Sequence, residues 1–192
     1  MVNNHLLIGY LKELHVPTIR ECFEDIARTA EQESLSYERY LLELAERECE
    51  ARRDRRIGRL LRESRLPLEK TIDSFDLKRL PAKVRQQVMT LIDGTFLDRK
   101  ENVLAFGNPG TGKTHLLCAV GQELIRSGRR VYFTSCSLLV QDLLIAKQSL
   151  KFSRVIKRLS KHDAIIIDDI GYVQLSREEM EVLFTFLAER YE

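Results

Sequence analysis

One stretch of the sequence decides the fold class, and it reads Gly107-Asn108-Pro109-Gly110-Thr111-Gly112-Lys113-Thr114. This stretch fits the pattern G-x-x-x-x-G-K-S/T of a phosphate-binding loop. Residues 102–106 (NVLAF) before it predict a short strand, and residues 114–127 after it predict a helix. The glycines let the backbone wrap around a phosphate chain, and the N–H groups form an anion cradle with the positive end of the helix. We therefore predict that these eight residues bind the phosphates of a nucleotide, with Lys113 reaching the β- and γ-phosphates.

A second signal is a fully apolar strand that ends in two acids. Residues 164–167 (AIII) predict the strand, and Asp168 and Asp169 follow it. Ligands of open parallel sheets collect at the carboxyl ends of the strands. We predict that Asp168 and the Thr114 hydroxyl hold Mg²⁺, and that Asp169 orients or deprotonates the attacking water, which makes Lys113, Asp168 and Asp169 the catalytic candidates. Two adjacent acids can also form a plain turn or helix cap, but the loop earlier in the chain favours the chemical interpretation.

The remaining patterns divide the chain into three parts. Helix and strand patterns alternate from about residue 84, with a further strand at 130–134, and strands without polar alternation indicate a parallel sheet buried on both faces. The first part carries helical periodicity throughout, with capping patterns at Thr18–Glu21 and at Ser36, and Ser176–Glu179 predicts the cap of the last helix. The predicted parts are a helical N-terminal module (1–66), a linker leading into the nucleotide site (67–82) and a nucleotide-binding α/β domain (83–192).

Composition excludes several classes of protein. The chain has 192 residues, 31 Lys and Arg against 29 Asp and Glu, and a net charge of +2, and it is 44% hydrophobic. It is therefore too apolar to be disordered, and it has no apolar run of the ~18 residues that a membrane span needs. The first five residues do not resemble a secretory signal, and the four cysteines form no C-x-x-C pair, so we expect a cytoplasmic protein with reduced thiols. The four histidines are scattered, and we assign them no role.

A basic segment lies between residues 47 and 65. At helical spacing its arginines form one stripe, made of Arg52, Arg55, Arg56, Arg59 and Arg62. Arginine suits bidentate contact with phosphate, and no aromatic residues interleave, so the stripe predicts binding to the backbone of duplex DNA without sequence readout. The alternative is a solvated helix face with intrahelical ion pairs to the acids of the same segment.

The amino-acid sequences of these motifs resemble those of one family within the AAA+ ATPases. GNPGTGKTHL at 107–116 and IDDIGY at 167–172, with LSYE at 35–38 and TIDSFD at 71–76, are similar to the IstB-like transposition helpers of insertion sequences. These are close relatives of the DnaC-type helicase loaders, and the resemblance covers almost the whole chain. It implies a P-loop AAA+ α/β fold after a helical module, ATP and Mg²⁺ as cofactors, and ATP-dependent assembly on duplex DNA as a homo-oligomer. It also implies a partner transposase encoded by the same element.

The resemblance carries two further expectations about the site. Asp169 stands where Glu is usual in the wider class, and Ile72 and Phe75 are the residues that the analogy places near the adenine ring. The family continues beyond the point that matches residue 192, with a strand that bears a sensor residue and a strand that bears arginines of a neighbouring subunit. We therefore expect a truncated chain with an incomplete sheet, which binds ATP but hydrolyses it poorly.

Three alternatives remain open at this point. A DnaC-type loader of a replicative helicase shares every ATPase motif. A remnant that binds nucleotide and DNA without turnover would also carry the same residues. A P-loop kinase acting on a small molecule is the third alternative, and the acid doublet and the helical N-terminal module argue against it.

Overall fold

The computed structural model describes residues 4–172 and 174–191, and the chain divides into two compact units, Met1–Gly58 and Arg59–Glu192. The sequence pattern predicts that the helical N-terminal module ends at residue 66. The helices are α1 (Asn4–Glu13), α2 (Pro17–Gln32), α3 (Tyr37–Ser64), α4 (Ala82–Ile92), α5 (Thr95–Asp98), α6 (Lys113–Arg126), α7 (Cys136–Gln148), α8 (Phe152–Leu159) and α9 (Arg177–Tyr191). The strands are β1 (Val131–Ser135) and β2 (Ala164–Asp168).

The first unit buries a small core between its three helices. Phe23 and Ile26 of α2 and Leu44 of α3 are its buried members, and Leu7 and Leu11 of α1 pack against them. These residues recur at spacings of three and four, so the helical periodicity that predicted the helices also selects the faces that meet. No helix within the described residues is long and apolar enough to cross a membrane.

The helix ends of this unit confirm one predicted cap and correct another. The Ser36 hydroxyl accepts a hydrogen bond from the N–H of Arg39, as predicted for the start of α3. The predicted box of Thr18 and Glu21 is wrong, because Pro17 already occupies the first helical position and places Thr18 inside the first turn. The N–H groups left open at that end find another acceptor, which lies on α3 and is described below.

The second unit contains a two-stranded parallel sheet. β1 and β2 pair in register from Val131 opposite Ala164 to Ser135 opposite Asp168. Helices α7 and α8 form the crossover between them, as parallel strands require. The strands predicted at 130–134 and 164–167 are confirmed to within one residue, and the predicted P-loop α/β fold is present with a small sheet.

Helices cover both faces of this sheet. On one face, α7 packs against both strands and against α9, and Leu143 and Phe186 are buried in the core between them. On the other face, α6 lies so close to β2 that a Cβ on Gly121 would stand 2.9 Å from Cδ1 of Ile166. The sheet is therefore an inner layer, which explains why the sequences of both strands lack polar alternation.

The predicted strand at 102–106 is wrong. Residues 101–111 are all exposed and have no strand pairing, with Leu104 at 73% and Phe106 at 87% of full exposure. Among the described residues the sheet consists of β1 and β2 alone, and 102–106 pairs with neither. An apolar segment forms a strand only when a neighbouring strand pairs with its N–H and C=O groups. Neither β1 nor β2 pairs with residues 102–106.

Two other helix predictions met different outcomes. The sequence pattern that begins near residue 84 predicts one helix over 84–97, but Gly94, whose φ of 75° lies in the left-handed region, divides it into α4 and α5. The capping box before α9 is confirmed in both directions. The N–H of Ser176 donates to Glu179 Oε2 at 2.7 Å, and the N–H of Glu179 donates to Ser176 Oγ at 3.3 Å.

Candidate functional site

The phosphate-binding loop ends directly at the first turn of α6. Gly110 and Gly112 have φ of 76° and 87°, which glycine adopts without strain. The Lys113 ammonium donates to the carbonyl oxygens of Gly107 and Asn108, each at 2.9 Å. The Thr111 hydroxyl also donates to the Asn108 carbonyl, at 2.8 Å. The loop is therefore curled around the Lys113 ammonium, at the positive end of a 14-residue helix.

The two halves of the predicted magnesium site meet. The Thr114 hydroxyl donates to Asp168 Oδ1 at 2.9 Å, across 54 residues of sequence. The first turn of α6 carries one side chain and the carboxyl end of β2 carries the other, and both are half-buried. The packing of α6 across β2 produces this contact, so the same packing that buries the sheet also brings a carboxylate to the loop.

Asp169 lies beside this contact but differs in backbone and exposure. It follows β2, is exposed, and has a φ of 58°. Left-handed backbone is tolerated by Asp and Asn better than by longer side chains, because a short polar side chain bonds locally. This conformation gives a physical reason for aspartate at a position where glutamate is usual in the wider AAA+ class.

A segment before the α/β elements packs against the start of α6. Phe75, one of the two adenine candidates, lies so close to the loop that a Cβ on Gly112 would stand 2.8 Å from its Cε2 atom. The Phe75 ring also meets the His115 ring edge-on, with centroids 5.2 Å apart. Ile72, the other candidate, is half-buried in the same segment. Residues 71–75 thus form one wall beside the loop.

Two polar residues of α6 hold this segment, and the sequence analysis missed both. His115 Nε2 lies 3.1 Å from the Thr71 carbonyl oxygen and 3.1 Å from Ser74 Oγ. The buried Gln122 amide donates to the Pro67 and Lys70 carbonyl oxygens at 3.2 and 3.0 Å. The two side chains are seven residues apart and so share one face of α6, a polar spacing that could have indicated a docked segment.

Cys118, one turn further along α6, is fully buried. Burial raises the pKa of its thiol to about 11, and the negative charge of Asp168 contributes in the same direction, against the opposing charge of Lys70. A thiol with such a pKa stays protonated at neutral pH, so Cys118 acts as a packing residue without nucleophilic character.

The five candidate DNA-binding arginines are all exposed on α3, but they differ in their contacts. Arg52 donates to Glu48 Oε1 at 2.9 Å and to the His15 carbonyl oxygen at 2.6 Å. Arg55 donates to Thr18 Oγ1 at 3.2 Å and to the same Glu48 oxygen at 3.4 Å. These two arginines hold the turn between α1 and α2 as well as presenting charge to solvent. Arg59 lies 3.9 Å from the carboxylate of Glu63 on the same helix, and Arg56 and Arg62 complete the set.

Glu48 is the acceptor that the start of α2 lacks. Its Oε2 accepts hydrogen bonds from the N–H groups of Thr18 and Ile19, at 2.8 and 3.2 Å. Burial works to raise the pKa of Glu48, but the hydrogen bonds from Arg52, Ile19 and Thr18 outweigh it and leave the pKa below its ordinary value. The carboxylate therefore caps α2 from another helix, 30 residues away.

A phosphate-binding loop opens a helix here, and its last residue is hydrogen-bonded to the carboxylate at the end of a half-buried parallel strand. This arrangement defines the class of P-loop NTPases. Residues 9–192 match the family described as IstB-like ATP binding protein. The chain belongs to this family, which confirms the resemblance seen in the sequence motifs.

Relatives from three bacteria are similar over nearly the whole chain. One from Sinorhizobium fredii, named as an insertion sequence ATP-binding protein, is 40% identical over 183 residues, which are 95% of this chain and 61% of that relative. The corresponding protein of insertion sequence IS5376 from Geobacillus stearothermophilus is 37% identical over 95% of this chain and 73% of its own length. That of IS21 from Pseudomonas aeruginosa is 34% identical over 98% and 71%. The chain thus spans between three-fifths and three-quarters of these relatives.

Proposed function

We propose that the chain binds ATP with Mg²⁺ and acts as a helper in DNA transposition. In this proposal the ATP-bound form assembles in several copies on duplex DNA and activates the transposase encoded by the same element. The observation that carries the nucleotide part is the bond between Thr114 and Asp168, which joins the loop to the strand-end acid. The names of the relatives, which are ATP-binding proteins of insertion sequences, support the link to transposition.

The donor set suits Mg²⁺. A hydroxyl and a carboxylate, 2.9 Å apart, are the hard oxygen ligands that this ion prefers. When bound, Mg²⁺ would neutralise charge on the β- and γ-phosphates. Lys113 would exchange its bonds to the loop carbonyls for bonds to those phosphates, since its ammonium already lies within the loop. Asp169, exposed next to Asp168, is the residue that would orient the attacking water.

The arginines of α3 support the DNA part of the proposal. Arg56, Arg59 and Arg62 are exposed, and guanidinium groups bind phosphate oxygens in a bidentate manner. Arg52 and Arg55 are roughly half exposed and keep donors for phosphate beyond their internal bonds. Contacts of this kind carry no sequence information, so the proposal predicts binding to duplexes of any sequence.

The experiment that tests the proposal measures binding to a fluorescein-labelled duplex of random sequence in three states: without nucleotide, with ATP and Mg²⁺, and with ADP. We expect ATP to strengthen binding relative to both other states, and ATP turnover is measured with and without the duplex. The matched variant is Thr114→Ala, which should keep nucleotide-independent DNA binding and lose the effect of ATP. Identical binding in all three states, or no ATP binding by the parent chain, would contradict the proposal.

A further inference from the structure

The second unit carries a basic surface that the sequence analysis did not single out. Between Asp142 and Asp163 the chain contains no acid, and it contains six cations. One of them, Lys147, pairs with Glu181 at 2.9 Å. The other five lie on or next to α8 and are exposed: Lys151, Arg154, Lys157, Arg158 and Lys161. We refer to these five residues as the α8 basic face.

The orientation of α8 is set by its apolar side. Leu159 is buried in the core of the second unit, and Phe152, Val155 and Ile156 pack against that core. Because the apolar residues are held inward, the cations that alternate with them project outward. Within the described residues 4–172 and 174–191, no ion pair joins any of the five cations to an acid. Along the described chain these five charges are therefore not neutralised by direct ion pairs, and they are exposed to solvent.

The α8 basic face lines an open depression, and every side chain that lines it is cationic except that of Val155. The five cations, with Val155, line an open depression of about 520 Å³. Arg158 and Lys161 also line a neighbouring cavity of about 150 Å³, whose other members include Arg130 and Glu63. Protein interfaces are often anchored by aromatic side chains, and no aromatic side chain lines this depression in the described part of the chain. Five exposed cations fit a partner that supplies regularly spaced negative charge.

We infer that the α8 basic face binds the phosphate backbone of duplex DNA. Eight helical residues extend about 12 Å, and a duplex of that length carries about seven phosphates, so one helix face can meet several of them at once. This inference rests on the proposed function, because it assigns a second DNA-binding surface to a chain proposed to act on DNA. The α8 basic face differs from the arginines of α3, because two of those arginines donate hydrogen bonds to the buried side chain of Glu48.

The test measures the salt dependence of duplex binding by the full chain. The variant R154Q/K157Q/K161Q removes three charges from the α8 basic face. Its matched control, R85Q/K78Q/K83Q, removes one Arg and two Lys from exposed positions elsewhere in the same unit. A third variant, R56Q/R59Q/R62Q, removes three charges from α3. Circular dichroism and retained ATP binding establish that each variant is folded.

We expect the α8 variant to lower the slope of log K against log salt by about 2.7, at about 0.9 for each phosphate that the variant no longer neutralises, while the control keeps the slope of the parent. If the parent binds the duplex and the α8 variant has the same slope as the parent, this inference is overturned and the proposed function is not. The same holds if the slope falls equally in the α8 variant and in its control. A parent that binds no duplex at any salt concentration would overturn the proposed function as well.

Discussion

Two apolar segments lead to the predicted nucleotide site, and only one of them forms a strand. Residues 102–106 (NVLAF) lead into the phosphate loop, and residues 164–168 (AIIID) lead into the acids. The second segment is β2, paired with β1 along its whole length and covered by helices on both faces. The first segment is exposed and unpaired, although it too contains strand-favouring residues, Val103 and Phe106.

The difference shows that hydrophobic pattern sets what a segment can form, and its neighbours decide what it does form. β2 has a partner strand and the close approach of α6 at Gly121. The segment 102–106 has neither within the described residues. The loop that follows residues 102–106 nevertheless meets the end of β2, because the Thr114 hydroxyl at the start of α6 donates to Asp168. The loop is therefore positioned by the helix that follows it, and the segment before it contributes little.

The largest expected effect sharpens this conclusion, since it lies at the loop itself. Lys113→Ala should weaken ATP binding by about 3 kcal/mol, roughly a hundredfold, because the phosphates lose a charged hydrogen-bond donor. Calorimetric titration with ATP and Mg²⁺ measures the change. Lys83→Ala on α4, which removes the same charge from an exposed position, should leave the affinity unchanged. Equal affinity of Lys113→Ala and the parent would show that the loop does not bind phosphates.

A pair of core-type substitutions tests the comparison directly. Ile166→Ala in β2 should lower the free energy of unfolding by about 1–3 kcal/mol, because the side chain lies in the layer between the sheet and α6. Leu104→Ala in the exposed segment should change it by no more than about 0.5 kcal/mol. Urea unfolding followed by circular dichroism measures both. A loss of stability at Leu104 as large as that at Ile166 would break the comparison.

Substitution of Gly112, at the end of the loop nearest α6, should destabilise the protein. Gly112→Ala places a Cβ against the Phe75 ring at a φ of 87°, and the backbone conformation alone costs about 1–2 kcal/mol. We expect lower stability and weaker ATP binding. Gly9→Ala in α1 is the control, since its Cβ meets nothing within 4 Å and alanine favours a helix. Unchanged stability of Gly112→Ala would show that Phe75 does not hold the loop end.

The smallest expected effect is the dependence of stability on pH that the buried Cys118 thiol causes. The pKa of Cys118 lies at about 11 in the folded protein against an ordinary 9.0, so the unfolded chain releases this proton first. Stability should then fall as the pH rises above about 9. Cys118→Ala should reduce the fall, and part will remain because burial also raises the pKa of Cys136. Thermal unfolding between pH 8 and pH 10 measures it, and an identical decline in the variant would contradict the assignment.

Local signals in the sequence predicted the parts of the fold that depend on neighbours in the chain. The capping box at Ser176 and the strand at 164–167 needed only adjacent residues, and both are confirmed. Contacts between distant residues were beyond such signals. Glu48 caps α2 from 30 residues away, and no pattern near Thr18 indicates this. In the site, the Thr114–Asp168 contact could be predicted because the motif defines both partners. The spacing of His115 and Gln122 could indicate that a segment docks on α6, but it does not identify the residues to which they bond.

The exposed stretch 101–111 has a consequence for handling the protein at the bench. Proteases cleave segments that extend freely into their active sites, and this stretch offers eleven consecutive exposed residues, among them Leu104 and Phe106. Chymotrypsin should cut there first and leave a fragment that still contains α6, β1 and β2. A nucleotide wrapped by residues 107–114 would hold the same backbone and slow the cut. Resistance to digestion thus reports occupancy of the loop on an ordinary gel.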